Sequence, residues 1–364
     1  MQDNRLYTSQ FLLLAFMSTS AFKVIMLPKY LCTVAGNMAW IVMLIMSLVE
    51  LCFLAIIYYV AKCGGVCGEW CPRWLQKSVG VGIVTSSAVK FGVLGSEFCQ
   101  YVSTQVFDHV TWLYVALAFT PVVGYIASKG LNALGRASQI LFWVIAMTVV
   151  FNIFFARLEG DRYNLFPLND WQSAALSIDQ HIVWFSDFTP LVFVCLVGQT
   201  ERNKIVGAFT ILLVGLFPPL IALVFVYVYG NGGVWIDNAI GRLTEFHLLA
   251  TIMGKADLLT IISWFIMAIV KLSLIFYGIV QGVTLIIGRR KFTNIIVSIL
   301  GIIFIVFGLG SVTKYYAFAT SWIRYVVAGI EYGVPIVLAV ATKGGKGEEK
   351  RIVDSRLYRN AHRI

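Results

Sequence analysis

The chain has 364 residues, of which 59% are hydrophobic and only 13% charged, with a mean hydropathy of +0.83. Those proportions exclude a soluble globular protein and a disordered one, and they define a polytopic membrane protein. The net charge of +10 comes from lysines and arginines gathered between apolar runs, which is the pattern of a topology signal and of contact with anionic lipid rather than of a nucleic-acid surface.

The N-terminus, MQDNRLYTSQ, lacks a basic n-region and a small-residue cleavage site, so the first apolar run is expected to stay in the chain. Runs of about 20 apolar residues then predict ten spans, near residues 8–31, 36–61, 79–106, 112–128, 137–156, 181–198, 205–230, 257–287, 292–310 and 321–341. These form one transmembrane domain over 1–341, with a polar, basic tail at 342–364. Spans one and six carry helix-breaking stretches, Ser18-Thr19-Ser20-Ala21 and Ser186-Asp187-Phe188-Thr189-Pro190. Small polar residues and proline free backbone groups, which are tolerated at membrane depth where they line a cavity or meet protein. Serine and threonine also bond back to their own helix, and proline kinks one, so each break has a purely structural reading as well. Because each stands in the first span of a five-span half, the expected architecture is all-α with a five-plus-five arrangement, repeat one over about 8–156 and repeat two over about 181–341.

With ten spans both termini share one side. Eighteen of the 28 lysines and arginines fall on that side, against six on the opposite one. The threefold bias predicts cytoplasmic termini and a cytoplasmic Cys67, with the 160–171 and 230–255 loops outside.

Away from the span ends, eight ionisable residues lie inside the predicted spans: Lys23, Glu50, Lys90, Glu97, Asp187, Lys271, Arg324 and Glu331. Lys90 and Glu97, like Arg324 and Glu331, share a helix face two turns apart, too distant for direct contact, so their partners must come from other helices. Lys271 stands in the middle of the apolar run Ile261–Ile287. A charge there costs roughly 2.5–3.5 kcal/mol on insertion scales, so the lysine must face protein or water. Asp187, at the second break, is placed to pair with such a lysine, to receive a ligand amino group, or to cap a half-helix N-terminus. Aromatic lining is available from Phe22, Tyr101 and Phe188.

The cluster Cys63, Cys67, Cys71 has neither a fourth cysteine nor a histidine beside it, so free thiols are expected rather than a metal site. His109, His181, His247 and His362 are scattered in loops or at span ends. The sequence carries no Walker loop, HExxH or GxSxG motif, and neither catalysis nor a cofactor is expected.

Several segments together resemble one family. MLPKYLCTVAGNMAWI (26–41), KGLNALGRASQ (129–139), NLFPL (164–168) and above all KADLLTIISWFIMAIVKLSLIFYGIVQG (255–282) are similar, in order, to the endospore germination permeases, the B subunits of spore germinant receptors. The resemblance implies membership of the amino acid–polyamine–organocation superfamily and the ten-helix inverted repeat of LeuT-like transporters, with helices one and six broken. It implies a spore inner-membrane protein that binds a small amino-acid-like germinant and works with companion subunits, a large membrane subunit and a lipoprotein. The implied ligand residues are Ser18, Thr19, Ser20, Ala21, Phe22, Tyr101, Ser186, Asp187, Phe188 and Thr189, with the Lys271 ammonium in place of a sodium ion. Where the superfamily usually has glycines in the first break, this chain has Ser18–Ala21, whose hydroxyls can act as donors in their stead. An ordinary sodium-independent, proton-coupled amino acid permease would show the same site, and a scaffold that binds nothing is compatible with the missing glycines.

Overall fold

A computed structural model describes residues 5–66, 68, 70–107, 110–156, 160–168, 170–197, 201–236, 239, 256–288 and 293–361. Cys67, His109, Arg157, Arg242, His247, Lys255, Arg289, Arg290, Lys291 and His362 lie outside the described residues.

The described chain is an all-α membrane protein. Its helices are α1 (Thr8–Ser20), α2 (Leu27–Ala35), α3 (Ala39–Lys62), α4 (Arg73–Tyr101), α5 (Trp112–Ser128), α6 (Leu131–Ala156), α7 (Trp171–His181), α8 (Glu201–Tyr229), α9 (Ala256–Ile287), α10 (Thr293–Ile303), α11 (Val312–Thr320) and α12 (Ile323–Ala361). Among the described residues five helical stretches are long and apolar enough to cross a membrane: Leu27–Lys62, Arg73–Thr104, Ile211–Trp235, Thr260–Ile287 and Ile323–Thr342. A sixth apolar unit is α5 with the first part of α6, bent by 109° between them.

α1 is apolar almost all round and correspondingly buried on every side, as expected of a helix enclosed by others. Its start is fixed by Gln10, whose Oε1 accepts the Tyr7 N–H at 3.2 Å and satisfies one of the unpaired donors of the first turn. α4 and α9 make the most extensive helix pairing among the described residues. Glycines permit it: a Cβ on Gly282 would stand 2.8 Å from the Gly80 carbonyl oxygen, and one on Gly80 would stand 3.2 Å from the Gly282 carbonyl oxygen. Small residues let membrane helices approach backbone to backbone. From that crossing the two helices run antiparallel, which brings Lys90 level with Lys271 and, two turns further, Glu97 level with Trp264.

Both expected interruptions exist, but each differs from the sequence reading. In the first, Ser18, Thr19 and Ser20 are still helical, and the non-helical stretch is Ala21–Met26. The Ser18 hydroxyl donates to the Ala15 carbonyl at 3.2 Å and that of Thr19 to Ala15 at 3.0 Å, so these two bond back to their own helix. The second break follows α7 and a short 3-10 turn, Ile182–Trp184, and reaches its sharpest point at Ser186, a non-glycine residue at φ +61°. Beyond it the chain does not resume an α-helix. Thr189–Phe193 is a five-residue 3-10 helix with Pro190 in its first turn, and Cys195–Leu196 is extended, pairing in parallel with Arg5–Leu6. Proline lacks the N–H an α-helical turn needs, and β-branched Val194, where the backbone turns extended, suits that conformation.

The turn after α3 clamps this irregular segment. Val66 N–H donates to the Val192 carbonyl at 3.0 Å. Gly65, at φ +66°, lies so close to the Val192 and Val194 carbonyls that a Cβ would come within 2.7 and 2.6 Å of them. Only glycine meets both demands.

Candidate functional site

The two breaks are welded to one another by buried charge. Lys23, in the first break, forms an ion pair with Glu50 on α3. The other oxygen of Glu50 accepts the backbone N–H of Ser186, in the second break, at 2.5 Å. Lys90 on α4 grips the second break on both sides of Ser186, donating to the Phe185 carbonyl and, at 2.8 Å, to Asp187 Oδ1. It also pairs at 2.5 Å with Glu331 on α12. Lys271 on α9 takes the remaining oxygen of Asp187, Oδ2, at 2.5 Å, and its ammonium stands 5.1 Å from the ring centroid of Phe22 in the first break. Six separate elements thus each contribute a charge, and every one of these side chains is buried.

The physics explains the arrangement. A charge buried without a partner costs several kcal/mol, so ions withdrawn from water persist only when paired and hydrogen-bonded. The left-handed Ser186 is an unfavourable conformation for a residue with a side chain, and it persists here because Glu50 captures its N–H while Lys90 holds the groups on either side. Pairing within one helix is indeed absent for Lys90 and Glu331, whose partners come from other helices.

Glu97 behaves differently from the other carboxylates. Its Oε2 accepts the indole N–H of Trp184 at 3.1 Å, and its Oε1, although buried, has no hydrogen-bond partner among the described residues. Aromatic rings stand along the same stretch of α4 and α9. Tyr101, one turn along α4, lies 4.3 Å from Trp264 between centroids, and Trp264 in turn meets Phe22 edge-on at 5.9 Å.

Of the residues expected to form a pocket, the structure brings Phe22, Asp187 and Lys271 into one network and places Tyr101 against the same aromatic wall. Ser18 and Thr19 have their hydroxyls occupied by helix carbonyls, and Thr189 donates to the Ser186 carbonyl at 3.2 Å. Ser20, by contrast, has no hydroxyl partner among the described residues. Ala21, Ser186 and Phe188 are all buried at the breaks. Lys23, Glu50, Lys90 and Glu331 hold the breaks themselves. Their roles depend on contacts across helices, and only their charge within apolar runs marks them in the sequence.

An aromatic cluster covers one end of the site. Tyr30 on α2 and Tyr315 on α11 share a hydroxyl contact of 2.8 Å, His181 Nε2 lies 3.2 Å from the Tyr316 hydroxyl, and Trp184 packs among them. At its rim Arg324 pairs with Asp179 at 2.6 Å. A separate apolar groove of about 450 Å³, walled by Phe98, Val102, Tyr114, Phe119 and Phe265, opens between α4, α5 and α9 and does not include the breaks.

A family model described as spore germination protein, the spore permease family, matches residues 5–314. No curated protein matches the chain.

Proposed function

The chain belongs to the spore germination protein family, and we propose that it is the membrane subunit of a germinant receptor, binding a small amino-acid-like molecule between its two broken helices. The observation that carries this reading is the junction itself: Lys23–Glu50–Ser186 on one side and Phe22–Lys271–Asp187 on the other tie break to break. Structural glue needs no such convergence on irregular backbone, whereas transporter-like ligand sites lie where unwound segments meet. In this reading the chain has the ten-span, five-plus-five arrangement with cytoplasmic termini and resides in the spore inner membrane. In the same reading the ammonium of Lys271 substitutes for the sodium ion of LeuT-like folds, so binding needs no sodium.

Signalling follows from the connections. A ligand that parts the breaks must disturb Lys90 and with it Glu331, which stands on α12. α12 runs on past its apolar stretch to Ala361 as one helix, a direct mechanical route to companion subunits at the cytoplasmic face. The pocket residues at the first break are Ser20, Ala21 and Phe22; those at the second are Ser186, Asp187 and Phe188. The five-residue 3-10 segment after the second break is too short to offer the helix N-terminus expected from sequence, so the ligand carboxylate is assigned to the first-break side.

The test is a paired measurement on protein reconstituted in liposomes: equilibrium binding of labelled amino acids, and their uptake under an imposed proton gradient. The receptor reading expects saturable, sodium-independent binding without concentrative uptake. Uphill, proton-driven accumulation would make the chain a permease, and absence of binding to any amino acid would remove the pocket.

A further inference from the structure

We propose that Glu97, rather than Asp187, receives the ammonium group of the ligand; this rests on the pocket reading above and assigns the polar end of that pocket. Asp187 is the carboxylate the second break displays, yet both its oxygens are already taken, Oδ1 by Lys90 at 2.8 Å and Oδ2 by Lys271 at 2.5 Å. A third cation there would stand beside two buried ammonium groups, whose like charge opposes it. Glu97 has the opposite situation. One oxygen accepts an indole N–H and the other is buried and unpartnered among the described residues, an unusual condition for a native polar atom.

The charge balance agrees. Lys23, Lys90 and Lys271 are matched by Glu50, Asp187 and Glu331, each lysine having an ion-pair partner and each of these carboxylates a lysine. Glu97 is the member of the buried set left without a lysine, although Lys271 and Asp187 act on it electrostatically. Its surroundings suit a primary ammonium. Trp184 holds Oε2, while Tyr101, one turn along α4 from Glu97, lies tilted against Trp264 with centroids 4.3 Å apart, and Trp264 meets Phe22 of the first break edge-on. A carboxylate among the faces and edges of aromatic rings combines a charge-assisted hydrogen bond with cation–π attraction, the pairing that recognises organic ammonium groups. Trp184 acts as a positioning residue, fixing the carboxylate so that Oε1 is the oxygen presented.

The ligand class is therefore a molecule bearing a primary amine, with its anionic end toward the first break. Purified full-length protein is titrated with the twenty protein amino acids and, for each that binds, with the des-amino acid of the same skeleton, such as 4-methylpentanoate for leucine. Glu97→Gln should weaken the amino acid about tenfold to a hundredfold, the range of a lost hydrogen bond to a charged group, while the des-amino acid binds as before. Glu97→Asp keeps the charge but withdraws it by one methylene, and should give an intermediate preference for the amine. Asp187→Asn should weaken both members of each pair alike, since it loosens the break. Equal effects of Glu97→Gln on amino and des-amino ligands, or none on either, would overturn the assignment while leaving the pocket standing. If the wild type binds none of the twenty, the pocket reading itself fails and this assignment with it.

Discussion

Replacing Lys271 by methionine separates a functional cation from a merely tolerated one. Both members of the Lys271–Asp187 pair are fully buried and 2.5 Å apart. Removing one partner of a buried pair costs about 3–5 kcal/mol. Asp187 would keep Lys90 at 2.8 Å, so the loss belongs at the low end, about 3 kcal/mol on the same scale. Against it, removing a charge from the middle of a membrane helix eases insertion by roughly 2.5–3.5 kcal/mol. The two effects nearly cancel, and Lys271→Met is expected to reach the membrane at close to normal abundance. Binding should not be spared, because the lost pairing holds the second break against Phe22 of the first. About 3 kcal/mol removed from the binding-competent arrangement corresponds to roughly a hundredfold in affinity. The assay is equilibrium binding in sodium-free buffer, with membrane abundance and thermal unfolding measured on the same preparations. Normal affinity in well-expressed Lys271→Met would refute the role of the cation, as would strict dependence of the wild type on sodium.

Three further outcomes are expected. Glu50→Gln should destabilise by about 3–5 kcal/mol because Lys23 is then buried without its counter-ion; adding Lys23→Met should recover part of that loss, and a double-mutant cycle by thermal unfolding reads the coupling. Gly282→Ala pushes a methyl to 2.8 Å from the Gly80 carbonyl oxygen and 2.6 Å from Val84 Cγ2, so it should lower stability by about 1–3 kcal/mol, whereas Gly329→Ala, with open space at its Cβ, should be neutral or better. For orientation, a lone cysteine from Lys77→Cys should react with an impermeant thiol reagent only after permeabilisation, while one from exposed Tyr163→Cys reacts in intact cells; the reverse pattern would invert the topology.

Much of the site was legible because charge inside an apolar run is rare and expensive. Lys271 and Asp187 stand out on that ground alone, and α9 follows its predicted span almost to the residue. The seven-residue spacing of Lys90 and Glu97 correctly placed them on one face, but a periodicity says nothing of what lies opposite, so the Lys90–Glu331 pair was invisible. Ser18, Thr19 and Ser20 look alike in the sequence, yet two hydroxyls serve the helix and one does not, a distinction set by local geometry. α7 and α11 were missed since a search for long apolar runs passes over short helices with polar residues, here Trp171–His181 and Val312–Thr320. The second half of span six was misread for the converse reason. Its composition is apolar enough for a helix, but Pro190 and the flanking contacts with Arg5–Leu6 and Gly65 favour extended backbone.

The measurement that bears most directly on a pocket shared by the two breaks is amino acid binding to Ala21→Leu. Ala21 is fully buried where the first helix ends, and three added carbons there intrude on whatever the breaks enclose. The account predicts that larger amino acids lose affinity first and smaller ones last, with thermal stability lowered by no more than the about 1–3 kcal/mol of an overpacked core. Unchanged concentration dependence for every amino acid, in a variant that reaches the membrane normally, would place the site elsewhere.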